Sequence, residues 1–94
     1  MEVRLIQPNE SGLSGFAKYS SLEGMKEKET GWWDWDYLGE VIIQLTRGQT
    51  RIPSKFDRSP YPLIDEEGWV VDGTHRMTAA YIANKPIEVI DGRR

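Results

Sequence analysis

The chain has 94 residues, 12 basic against 15 acidic, and a net charge of −3. Ninety-four residues suffice for one small domain and leave no room for a second, and 38% apolar with 29% charged residues suit a folded domain rather than a disordered one. The absence of cysteine excludes disulfides and thiol chemistry, a single histidine excludes a His-rich zinc site, and the acidic balance argues against a surface that grips nucleic acid by neutralising phosphates.

Val3 to Gln7 reads as an opening strand, stopped by Pro8 and the turn-forming Asn9, Glu10, Ser11 and Gly12. No apolar run approaches the roughly 20 residues of a membrane span, and Met1 to Arg4 does not resemble a signal peptide, so a cytoplasmic protein is expected. Phe16, Tyr19, Leu22 and Met25 then recur every three residues, which outlines a loose helical face broken by Gly24.

Trp32, Trp33, Trp35 and Tyr37 alternate with acidic residues. Aromatic clusters of this kind stack bases in single-strand binders, but Asp34 and Asp36 would repel phosphates. Core anchors with helix-capping aspartates are the plainer reading; a protein-docking surface through Trp32, Trp33 and Trp35 is the alternative. A helix over about 36–47 follows, capped by Asp34 or Asp36, with Leu38, Val41, Ile42 and Leu45 forming one apolar stripe and Gly48 beyond its end.

Gln49 to Tyr61 is a polar loop containing Pro53 and Pro60. Pro62-Leu63-Ile64 and Trp69-Val70-Val71 form a hairpin across Asp65-Glu66-Glu67-Gly68, with Gly68 suited to positive φ; the three successive acids read as a solvated tip rather than a metal site. A helix over about 75–83 ends at Asn84, Pro86 blocks its continuation, and residues 87–90 return as a strand.

Between the hairpin and that helix lies Asp72-Gly73-Thr74-His75-Arg76. The first amides of a helix lack intrahelical partners and carry partial positive charge, so this turn is suited to an anion. Gly73 lets a phosphate approach the backbone, Thr74 offers a hydroxyl to the helix or to a ligand, and Arg76 presents a planar fork. His75 would donate a hydrogen bond or act as acid or base, while Asp72 would order Arg76 or hold Mg²⁺, making His75 and Asp72 the catalytic candidates. Lys55, Arg58, Arg93 and Arg94 are the other cations available to converge there. The competing view is that Asp72 caps the helix, Gly73 makes the turn, and His75 and Arg76 decorate the surface.

The ordered run from Tyr61 through Asp72-Gly73-Thr74-His75-Arg76 and the paired Ala79-Ala80 to Ile90 resembles the ParB/sulfiredoxin-like superfamily, in particular its ParB-like N-terminal and nuclease-type domains with an Asp-Gly-x-His-Arg motif. The resemblance covers about a third of the chain. It implies a small α/β (α+β) fold, a short mixed sheet packed by two or three helices. It also implies a nucleotide pocket, taking ATP or CTP with Mg²⁺, in which Asp72, Gly73, Thr74, His75 and Arg76 border the phosphates. Phosphoryl transfer or nucleotide hydrolysis would be the associated chemistry, and nuclease activity a third reading beside a phage- or plasmid-type accessory protein. Thr74 stands where sulfiredoxins carry their reactive cysteine, so that activity is excluded; partition proteins commonly place glutamate there and add a DNA-binding domain for which this chain has no room.

Overall fold

The computed structural model describes residues 2–16 and 34–93. Within them, four strands and two helices follow in the order β1 (Glu2–Ile6), α1 (Trp35–Thr46), β2 (Leu63–Ile64), β3 (Val70–Asp72), α2 (Thr74–Ala83) and β4 (Ile87–Asp91). The fold is a small α+β domain, two helices on a mixed sheet. The proposed helical face beyond Phe16, and Trp32 and Trp33, lie outside the described residues. Phe16 itself is buried and meets Tyr81 edge-on, with ring centroids 5.8 Å apart.

The sheet order is β1-β4-β2-β3. β4 runs antiparallel to β1, with Val3 opposite Ile90, and parallel to β2, with Leu63 opposite Ile90. β2 and β3 form the expected antiparallel hairpin, with an irregular register between Leu63 and Ile64. Asp65 builds its turn, its carboxylate accepting from the amides of Glu67 and Trp69 at 2.9 Å each. Gly68 takes φ +91°, and a Cβ there would lie 1.9 Å from the Gly12 carbonyl oxygen, so this turn needs glycine on both conformational and steric grounds.

Sequence spacing placed both helices to within one residue at each end. Asp34, rather than Asp36, caps α1, its side chain accepting from the Tyr37 amide at 2.9 Å. Leu38, Val41 and Leu45 are buried and Ile42 packs against them partly covered, as the 3.6-residue period requires. α2 ends at Asn84 in the left-handed conformation, φ 53°. Met77, Ala79 and Ala80 join Ile64, Val70, Ile87 and Val89 in one core with the α1 stripe. Trp69 and Val71, from the apolar hairpin run, remain about half exposed, leaving Val70 as that run's core contribution.

Among the described residues, no helix is long and apolar enough to cross a membrane.

Candidate functional site

The turn between β3 and α2 borders a cleft of about 570 Å³, lined by residues of α1, the 49–61 loop, β3 and the start of α2. That volume lies within the usual range of small-ligand sites. Asp72, Gly73, Thr74, His75 and Arg76 all line it, so the fold brings the whole motif to one surface.

Gly73 is the N-cap of α2, at φ 88° and ψ 32°, and among the described residues no side chain caps the helix. Asp72 is therefore the last residue of β3 rather than a cap, and Thr74 is the first helical residue rather than the N-cap. A Cβ on Gly73 would meet Pro62 at 2.8 Å and Arg76 Nη2 at 3.0 Å. Glycine at this position thus serves both the left-handed backbone and the approach of Pro62 and Arg76.

His75 and Arg76 are buried, at 5% and 1% exposure, which rules out the reading of two surface ornaments. The Arg76 Nη1 group donates to the carbonyl oxygens of Ile52 at 3.0 Å and Ser59 at 3.1 Å, tying the two limbs of the 49–61 loop to α2. Its Nη2 group is 3.8 Å from Asp72 Oδ2 and has no hydrogen-bond partner among the described residues. Burial lowers the guanidinium pKa from its ordinary value. One half of the fork is therefore structural, and the other is a buried donor at the cleft wall.

The Asp34 amide donates to His75 Nε2 at 2.9 Å, so this nitrogen serves as an acceptor and the ring is held in its neutral form with Nδ1 protonated. Burial reinforces this by pushing the imidazole pKa down, the dominant effect over the opposing influence of Asp34. The ring packs against Phe56 and Tyr37, with centroids 5.2 Å and 5.8 Å away. Tyr37 is buried and donates through its hydroxyl to the Pro53 carbonyl at 3.1 Å, whereas Phe56 is 56% exposed at the cleft, its ring edge-on to Tyr37 at 5.3 Å with Lys55 Nζ 6.0 Å over it.

Asp34, Asp57 and Asp72 also line the cleft, so that among the described residues three carboxylates stand against one guanidinium, that of Arg76. Asp57 is held below its ordinary pKa first by the Ser59 amide, then by Ser54, and the Asp72 carboxyl lies close enough to interact with it. Lys55 pairs with Asp34 at 2.6 Å beside the cleft without lining it. Arg58 does not line the cleft, and Arg93 is occupied elsewhere by Asp91 and Glu10. The anticipated convergence of cations is thus limited to Arg76, with Lys55 adjacent; Arg94 lies outside the described residues.

Phe56 and Asp57 are among the cleft residues that the sequence did not assign to the site. Their signal was only their position in a long polar loop, and nothing local indicated that Arg76 would fold that loop over the turn. Among the described residues, no group of three or more His, Asp or Glu side chains is arranged to hold a metal ion. No family model, curated protein or solved structure matches the chain.

Proposed function

We propose that the cleft binds a phosphate-bearing ligand of the nucleotide class as its Mg²⁺ complex. The observation that carries this reading is the buried Nη2 of Arg76, which has an ion-pair contact with Asp72 at 3.8 Å but no hydrogen-bond partner among the described residues, beside the N-terminus of α2, where Gly73 supplies no capping side chain. A buried donor without a partner costs about 1–3 kcal/mol, so an acceptor delivered by a ligand is favoured there. The resemblance to ParB/sulfiredoxin-like domains supports the same end of α2 as the phosphate seat.

The surrounding charge sets a condition. Asp34 is already paired with Lys55, and Asp57 and Asp72 face one guanidinium among the described residues, so the walls keep an excess of negative charge that opposes a bare polyphosphate; a divalent cation between ligand and protein removes that repulsion. Asp57 and Asp72 fit such a role, because Mg²⁺ is commonly held by one or two carboxylates plus substrate phosphates and retains several waters. Phe56, a half-exposed aromatic at the cleft, would give a base a ring to stack on. The proposal is binding rather than turnover: His75 uses Nε2 to accept from Asp34, which leaves that nitrogen unavailable as a base in this state.

Isothermal titration with ATP, CTP and ADP, each with and without Mg²⁺, tests the reading. Heat is expected only with Mg²⁺ present, with affinity reduced about tenfold or more by Asp57→Asn and by Phe56→Ala. Absence of heat with all three nucleotides in both conditions would refute it.

A non-catalytic interaction module is the second reading. It is favoured by Trp35 and Ile43, apolar residues of α1 that are 53% and 50% exposed. Under that reading, Trp35→Glu abolishes capture of a protein partner, while nucleotide titrations give no heat.

A further inference from the structure

The sheet has two edges, and the chain treats them differently. Along β3, Ser14 covers the edge: its amide donates to the Gly68 carbonyl and its carbonyl accepts from the Val70 amide, each at 2.9 Å. Along β1, no strand among the described residues pairs with the side away from β4.

The hydrogen-bond parity of β4 shows what that open side presents. The amides of Glu88, Ile90 and Gly92 donate to Thr50, Pro62 and Ile64, away from β1. Residues 87, 89 and 91 therefore face β1, and their partners Ile6, Arg4 and Glu2 make the ladder. Val3 and Leu5 then direct their amides and carbonyls outward. Their side chains are 46% and 57% exposed, the register with β4 is unbroken by any bulge, and neither proline nor lysine guards the strand. Such an edge is a template for another strand.

The order Glu2-Val3-Arg4 identifies that strand as a second copy. If two β1 strands meet antiparallel with Val3 opposite the partner's Val3, Glu2 of each protomer faces Arg4 of the other, giving two complementary pairs. Sliding by one hydrogen-bonding step centres the pair on Arg4 and sets like charges face to face. Arg4 bonds Asp91 through Nη1 at 3.1 Å, yet its side chain is 57% exposed and retains donors for a second carboxylate. We propose that the chain forms a two-fold dimer through β1, in the Val3-centred register, joining two four-stranded sheets into one of eight.

Sedimentation equilibrium on the full chain, with any affinity tag at the C-terminus, is expected to give twice the chain mass. Glu2→Arg alone and Arg4→Glu alone each place like charges opposite one another, so each should be monomeric, and mixing the two should restore a dimer containing one of each. Val3→Pro removes an amide that β4 does not use and should also give a folded monomer. Circular dichroism confirms folding of every variant. A monomeric wild type would overturn the proposal; so would single variants that remain dimeric, or folded single variants that stay monomeric when mixed.

Discussion

The backbone amide of Asp34 donates to Nε2 of His75 across 2.9 Å, joining the N-cap of α1 to the second residue of α2. Two helix starts, 41 positions apart in sequence, are held by a neutral imidazole. Protonation of Nε2 would turn an acceptor into a donor facing another donor.

This bond makes stability depend on pH. The folded-state pKa of His75 is lowered from the ordinary 6.5, so the unfolded chain binds a proton that the folded chain resists. Stability is thus full above about pH 6.5 and falls as the pH drops through the window below it, before the carboxylates titrate. Urea denaturation between pH 7.5 and 5 should show this loss. His75→Gln, whose side-chain oxygen can accept from Asp34 but does not titrate, should flatten the curve over that range; an unchanged slope would count against His75 as its source.

Arg76 should matter more to the fold than a ligand-contacting residue ordinarily does. Its Nη1 satisfies two carbonyls of the 49–61 loop, and its side chain is almost wholly buried. Arg76→Ala is expected to cost about 3 kcal/mol or more, from two lost charge-assisted bonds and the void left behind. Hydrogen exchange should show faster opening of Ser54 than in the wild type, because its amide bonds Ser59 at 2.7 Å inside the loop that Arg76 holds. This is why Asp57→Asn and Phe56→Ala, rather than Arg76→Ala, are the informative variants for ligand binding.

Gly73→Ala combines two penalties. The left-handed backbone costs a non-glycine residue roughly 1–2 kcal/mol, and the new methyl would press on Pro62 at 2.8 Å. With overpacking adding roughly 1–3 kcal/mol, a total loss of about 2–5 kcal/mol is expected in urea denaturation. Gly39→Ala is the control: nothing lies within 4 Å of its Cβ position inside α1, and alanine is the better helix former, so stability should rise.

The ion pair of Lys55 with Asp34 is short but exposed, its side chains 50% and 27% accessible. Solvent and salt screen such a pair. Lys55→Ala should therefore shift the melting temperature less than Asp34→Ala, which also removes the cap of α1 at the Tyr37 amide. Equal shifts would indicate that the ion pair, not the cap, is what Asp34 contributes.

Much of the local structure was legible in the sequence because it rests on local physics. The Leu38, Val41 and Leu45 stripe encodes α1 through its period, Gly68 encodes the hairpin through its backbone freedom, and Asn84 with Pro86 encodes the end of α2. The motif from Asp72 to Arg76 was likewise visible as a strand, a turn and a helix start. Tertiary structure decided what its side chains do. Only the folding of the 49–61 loop onto α2 assigns Arg76 Nη1 to Ile52 and Ser59, and only the approach of α1 gives His75 the Asp34 amide. The same packing sets Asp57 beside Asp72 and makes the cleft acidic. Hydrophobic period and backbone preference act over a few residues and can be read along the chain. Burial, long-range hydrogen bonds and the sum of wall charges arise between distant segments, and they determine what the cleft can hold.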